Sequence, residues 1–207
     1  MAAINIAIVC DGTSDLCIQD LIQEITDSSF PDQAFRITAA REVIPAHGTL
    51  GERIKRAYSD YEPNIIVCHR DAETMNLDDR LLEIRSAFDP KEIPIPIVPA
   101  VPVRMIESWL LTNAHAIRCA ADNRNGTVAL NLPNRKAIEK LIDPKQTLFL
   151  ALRTASNLPT QRLRKFNEHR ARSRVASFID NFEELRKLNS FSNFEAHLIN
   201  AISLQCA

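Results

Sequence analysis

The sequence predicts an α/β fold, a mostly parallel sheet flanked by helices, with a helical region completing the C-terminal half. Three observations carry this. Apolar runs ending in turn residues alternate with helically spaced stretches in the order βαβαβα, the pattern of a parallel sheet covered on both faces. A proline-rich segment then closes the strand-bearing part, and beyond it only helix-period segments follow.

Residues 4–10, INIAIVC, form an apolar run stopped by Asp-Gly-Thr-Ser, and residues 15–26 carry Leu16, Ile18, Leu21, Ile22 and Ile25 at helical spacing. A second strand is expected within AFRITAAREVI, residues 34–44, where apolar and polar residues partly alternate, and a second helix in GTLGERIKRAYSDY, residues 48–61. PNIIVCH, residues 63–69, is the third strand and LDDRLLEIRSAF, residues 77–88, the third helix. PKEIPIPIVPAVPVRM holds five prolines within residues 90–102. Proline cannot donate to a ladder, so this segment is expected to be extended at a sheet edge or along the surface. IESWLLTNAHAIRCAA reads as helix, with Trp109 in the core. After the loop ADNRNGTVALNLPN, helices are expected in RKAIEKLI, TLFLALRTA, TQRLRKFNEH, RVASFIDNFEELRKL and NFEAHLINAI. Residues 1–112 are thus read as the α/β core and residues 113–207 as a helical, basic region packed on it.

A length of 207 residues with 45% hydrophobic and 25% charged residues suits a folded globular chain. Five cysteines, odd in number and without a CxxC pair, argue for reduced thiols rather than a disulfide framework or a zinc site. The first apolar run lacks a basic leader and is broken by Asp11, so neither a signal peptide nor a membrane span is expected, and a cytoplasmic location is. The net charge of −1 conceals an asymmetry: residues 1–112 carry 18 acidic and 10 basic side chains, residues 113–207 carry 8 and 15. This suits cation binding in one half and polyanion binding in the other, or mutual neutralisation across an interface.

Two motifs can be set aside. His69-Arg70-Asp71 with Asn76 matches the catalytic-loop pattern of protein kinases, but the glycine-rich loop, strand lysine and DFG are missing. VCDGT resembles the haloacid dehalogenase signature, but Val9 stands where the nucleophilic aspartate belongs. The four glycines make no phosphate-binding loop, and the histidines show no ligand spacing and are read as ordinary core or surface residues.

In a parallel sheet, function collects where loops leave the carboxyl ends of strands. The first strand ends at Asp11 and, four residues on, Asp15; the third ends at Asp71 and Glu73, two apart and so on one side if strand geometry continues. Convergence of these carboxylates would be relieved by a divalent cation, and oxygen-only ligands favour Mg2+ or Mn2+. Taken singly, Asp11 also reads as a turn residue before Gly12, and Asp15 as a helix cap.

IAIVCDGTSD and IIVCHRDAE together resemble the Toprim domain, in which a strand ends in Glu-Gly-x-(Ser/Thr)-(Asp/Glu) and a later one in Asp-x-Asp. VPVRMIESWLL is similar to a stretch of small stand-alone Toprim-like proteins of bacterial defence loci, encoded beside ABC-type ATPases and related to OLD-family nucleases. The resemblance covers residues 4–112, with SFSNFEAHL a weaker echo. It implies a Toprim-like sheet and a Mg2+- or Mn2+-dependent nuclease, the effector of an anti-phage system controlled by an ABC/AAA-type ATPase subunit. Carried over by position, it implies Asp11, Asp71 and Glu73 as catalytic residues and Asp11, Asp15, Asp71 and Glu73 as metal ligands; Glu107, on the helix after the proline-rich strand, is a candidate additional ligand or base. Asp11 stands where the family has Glu, and Glu73 where it has Asp. A degenerate site, serving a binding or regulatory subunit of an ATPase complex, is the alternative. Glu107 also reads as an acid of a helix N-terminus.

Arg162, Arg164, Lys165, Arg170, Arg172 and Arg174 oppose only Glu168 in QRLRKFNEHRARSR, a local charge of +5. Such a run suits the phosphates of DNA or tRNA-like RNA, and reads equally as a solvated helix face or a contact for an acidic partner. Phe166 is its single aromatic, so base stacking has little support. No membrane partner is expected, and a homodimer stays open.

Overall fold

In a computed structural model, which describes residues 2–40 and 48–206, the chain forms a four-stranded, all-parallel sheet in the order β2-β1-β3-β4. The first strand, β1 (Ile4–Val9), leads through a 3-10 turn (Thr13–Cys17) into helix α1 (Ile18–Ser29). Then come β2 (Phe35–Ala39), α2 (Leu50–Tyr61), β3 (Ile65–His69), α3 (Leu77–Ser86) and β4 (Ile97–Ala100). The expected second strand is present to Ala39; its proposed continuation over residues 41–44 lies outside the described residues. The proline-rich segment supplies β4 on the sheet edge, where Pro99 is tolerated. A sheet of this kind, flanked by helices, is consistent with a Toprim-like fold.

Strand alternation divides the core in two. Ile4, Ile6 and Ile8 of β1 and Ile65 and Val67 of β3 pack on one face against α1 and the C-terminal helices. Ala7, Val9, Ile66 and Cys68 pack on the other against α2 and α3. Because both faces are covered, β3 is buried along its whole length, which is why it reads as a continuous apolar run.

The C-terminal half contains α4 (Glu107–Leu110), α5 (Ala114–Ala120), α6 (Arg135–Ile138), α7 (Pro144–Ser156), α8 (Thr160–Leu163), α9 (Glu168–Ser173) and α10 (Asn189–Cys206). Its helices are shorter than the periodicity suggests, and capping side chains explain several breaks. Asn113 accepts from the Ala116 amide and starts α5 anew, so residues 106–121 make two helices. Asn167 accepts from the Arg170 amide and separates α9 from α8. The expected helix over residues 174–188 is replaced by two 3-10 turns, Ala176–Phe178 and Leu185–Lys187. Val175, Ile179, Phe182, Leu185 and Leu188 are nevertheless all buried. The apolar spacing is satisfied by turns against a preformed core, and tertiary packing overrides helical periodicity.

Strands and C-terminal helices share one apolar cluster centred on Trp109. Its indole lies edge-on to Phe191 and stacks on Phe194, and its Nε1–H donates to Ser190 Oγ at 3.0 Å. Residues 113–207 are therefore held by the same core as the sheet. Trp109→Ala is expected to lower the unfolding free energy by about 3–5 kcal/mol, read from the urea midpoint at unchanged slope. A loss below about 1 kcal/mol, the scale of a surface change, would contradict this role.

Candidate metal centre at the carboxyl edge of the sheet

The registers of β1 with β3 (Val9 opposite Cys68) and of β3 with β4 (His69 opposite Ala100) bring three strand ends to one edge. Beyond β3 the pairing continues irregularly: the amides of Arg70 and Ala72 donate to the carbonyls of Ala100 and Pro102, and that of Glu73 to Arg104. Strand alternation therefore persists through Asp71. His69 and Asp71 point to the side of α1 and the C-terminal helices, Arg70 to the side of α2 and α3.

Asp15, His69 and Asp71 each offer a ligand atom within 4.8 Å of the others, the one such group of three among the described residues. Each is fixed by its surroundings. Asp15, in the 3-10 turn, accepts from the Gly12 amide at 3.1 Å and from Ser14 Oγ at 3.0 Å. Asp71 Oδ1 accepts from the Ile106 amide at 2.9 Å, which ties it to the turn entering α4. The buried His69 ring donates from Nδ1 to the Ala100 carbonyl at 2.9 Å. Nε2 lies 3.6 Å from Asp71 Oδ1 without a hydrogen-bond partner, and whenever the ring is neutral the bond at Nδ1 leaves the lone pair on Nε2.

Three donors held together, one a buried nitrogen left unsatisfied, fit a small divalent cation. The backbone bond to the far ring nitrogen is the support that metal-binding histidines commonly have. Electrostatics agree. Burial, reinforced by the Asp15 and Glu107 carboxylates against the opposing pull of His69 and the Ile106 amide, pushes the Asp71 carboxyl up to about 6. A carboxylate so crowded gains from a positive partner.

Of the acids marked from sequence, then, Asp15 and Asp71 come together. Asp11 turns to the opposite side, where its oxygens meet Arg53 Nη2 at 2.6 Å and Arg70 Nε at 2.7 Å. Glu73 leaves the strand: its φ of 53° is left-handed, which ends the alternation that would have aligned it with Asp71, and its side chain is exposed. Convergence of Asp11, Asp15, Asp71 and Glu73 on one point therefore does not occur. Glu107 is buried beside the cluster but engaged by Arg172 Nε at 3.0 Å. Arg172 Nη1 donates in turn to the Ser14 carbonyl, one residue from Asp15.

His69 is a candidate ligand that the sequence marks only weakly. The same two-residue spacing that linked Asp71 to Glu73 also links His69 to Asp71, and the end of the apolar run was the signal favouring the earlier pair.

The expected cationic track also changes. Arg172 is buried in its bond to Glu107 and is withdrawn from it, because a guanidinium committed to a buried carboxylate cannot meet a phosphate. Arg174 pairs with Asp122 at 2.9 Å and lies over the Phe178 ring. Arg162, Arg164, Lys165 and Arg170 are exposed around α8 and α9. Among the described residues, no helix is long and apolar enough to cross a membrane. Comparison of the chain with models of known protein families, with curated proteins and with solved structures found no match.

The raised Asp71 value has a signed consequence. With the folded value above the ordinary 3.8, ionised Asp71 costs the metal-free fold stability above about pH 6, and the cost is relieved as pH falls through that value. In chelator, Asp71→Asn is expected to raise the melting temperature by a few degrees at about pH 7.5 and to lose most of that gain near about pH 4.5. A gain that is the same at both pH values would remove the ionised carboxylate as its source.

Proposed function

We propose that the protein is a divalent-metal-dependent phosphodiester hydrolase, a nuclease acting on DNA or RNA, with Asp15, His69 and Asp71 as its metal ligands. The observation that carries this reading is the buried, unpartnered His69 Nε2 facing two carboxylates at the carboxyl edge of a parallel sheet. Imidazole in the set moves the expected preference from Mg2+ toward Mn2+. A metal held there supplies charge stabilisation at the phosphate and a water of lowered pKa.

The chain's own residues supply orientation. The Ala100 carbonyl sets the His69 tautomer, the Ile106 amide aims Asp71, and Glu107 with Arg172 braces the turn that carries Asp15. Arg162, Arg164, Lys165 and Arg170 supply exposed positive charge for a nucleic-acid backbone. Similarity of IAIVCDGTSD, IIVCHRDAE and VPVRMIESWLL to Toprim-like defence proteins supports the same chemistry. On that similarity alone rests the further proposal that an ATPase partner controls the nuclease.

A second reading, a regulatory subunit without catalysis, is favoured by the engagement of Asp11 with two arginines and the exposure of Glu73. Calorimetric titration with Mn2+ and with Mg2+, alongside cleavage assays on plasmid DNA and tRNA, separates the two. His69→Ala is expected to weaken Mn2+ binding by at least about tenfold, and Asp71→Ala to abolish both binding and cleavage. Wild-type protein that binds neither ion would sink the metal-centre reading; binding without cleavage of either nucleic acid would favour the regulatory one.

The track has its own test. Replacing Arg162, Arg164, Lys165 and Arg170 by Gln is expected to weaken nucleic-acid binding uniformly across sequences and flatten its salt dependence, measured by fluorescence anisotropy. An unchanged salt slope would assign these cations to another role.

A further inference from the structure

We infer that Arg53 and Arg70 form a phosphate-binding subsite, and that Asp11 occupies it as an internal stand-in for the substrate's phosphodiester. The inference rests on the nuclease reading and names the part of the site that would grip the nucleic-acid backbone.

Two guanidiniums converge on Asp11, each taking one of its oxygens: Arg53 Nη2 on Oδ1 and Arg70 Nε on Oδ2. Two non-bridging oxygens of a phosphodiester present the same arrangement of acceptors, and arginine is the side chain suited to it. Both cations are braced from behind. Arg53 Nη1 donates to the Cys10 carbonyl at 3.2 Å, and Arg70 Nη1 lies 3.2 Å from Glu83 Oε1. Arg80 contacts the same Glu83 carboxylate. Three arginines thus face two carboxylates, an excess of one positive charge that rises to two when Asp11 swings away.

The acid is the least confined member. The Asp11 side chain is 47% exposed, whereas that of Arg53 is 6% exposed and that of Arg70 is 20% exposed. Arg53 Nε, Arg70 Nε and Arg80 Nε are buried and make no aligned hydrogen bond among the described residues, Arg70 Nε meeting Asp11 as an ion pair only, so the positive charge here is incompletely satisfied. A carboxylate that can move to water without losing a buried environment is a replaceable anion. The buried arginines it would leave behind need another one.

Location completes the case. Arg70 stands between His69 and Asp71 on a chain whose alternation sends it to the other side of the edge, one residue, about 3.8 Å of backbone, from each ligand. A strand of nucleic acid crossing that edge would meet the metal ligands on one side and the arginine pair on the other. Asp11 then does not bind metal; it holds the subsite closed to weak anions until a phosphodiester displaces it.

The test uses the whole protein in EDTA and a short fluorescein-labelled single-stranded oligonucleotide. Asp11→Asn is expected to bind it about tenfold more tightly than wild type, with the salt slope steepened by about 0.7, the value for one more phosphate contact on a single strand. Adding Arg70→Gln to Asp11→Asn is expected to reverse both changes. An affinity and slope unchanged in Asp11→Asn, or a gain that survives Arg70→Gln, would overturn the subsite. Should Asp11→Asn fail to fold, Arg70→Gln alone is expected to weaken oligonucleotide binding severalfold, and undiminished binding there overturns it equally. The metal reading is judged separately, by Mn2+ titration of wild type without nucleic acid. Failure of the subsite thus leaves the metal result standing, and failure of the metal is seen in its own measurement.

Discussion

The ion pair between Glu107 and Arg172, with side chains 2% and 3% exposed, constrains both halves of the molecule at once. Taking two such charges out of water is costly, and their attraction repays the cost only when the remaining donors are also satisfied. Here Arg172 spends a further donor on the Ser14 carbonyl. One side chain from α9 therefore fixes α4, which follows the edge strand, and the 3-10 turn that carries Asp15. Removing either partner would leave a buried charge uncompensated, so the pair specifies how the helical half sits on the sheet more than it adds net stability. The Trp109 cluster supplies the apolar part of the same junction.

Around that brace, the period of a β-strand sorts the charges. Val9 and Cys68 face α2 and α3, and the side chains two residues further, Asp11 and Arg70, meet each other on that side. Val67 faces the C-terminal helices, and His69 and Asp71 follow it to the side of Asp15 and Glu107. One strand end thus serves two clusters of opposite character. The first is rich in arginine, with its carboxylate reaching water. The second is rich in carboxylate, and the nitrogen within it has no partner. The phosphodiester chemistry we propose would need both signs of charge close together, a cation held by acids for the reacting centre and fixed positive groups for the backbone.

Burial explains why other reactive groups stand apart from both clusters. Cys17 and Cys68 lie in the apolar clusters, and burial pushes each thiol up to about 12. A thiol so placed stays protonated at neutral pH and acts as a small apolar side chain. Loop backbone matters more. The left-handed φ values at Glu73 and Arg104, joined by the bond from the Glu73 amide to the Arg104 carbonyl, terminate the paired extension of β3 just after Asp71. Asp71 is thus the last side chain that strand alternation sends to the side of the C-terminal helices, and it joins the cluster there; Ala72 still follows the alternation to the other side.

The sequence by itself determined the βαβαβα order and the parallel sheet, and it confined the proline-rich segment to a sheet edge or the surface. These follow from local causes: apolar runs that must be buried, turn residues that end them, and proline's missing donor. It also marked Asp15 and Asp71, because strand ends are where a parallel sheet exposes its loops. Tertiary structure alone decided which neighbours those acids keep. The departure of Glu73 depends on a loop dihedral, the turning away of Asp11 on two arginines, one of them 42 residues distant, and the withdrawal of Arg172 on a carboxylate 65 residues earlier. His69 was legible only as the end of a buried strand. Its orientation depends on the Ala100 carbonyl, 31 residues away, which takes one ring nitrogen and leaves the other to face Asp71. Spacing along a chain records which side of its own element a residue occupies. Charge partners come from elements packed against that side, and packing brings them together only when the chain has folded.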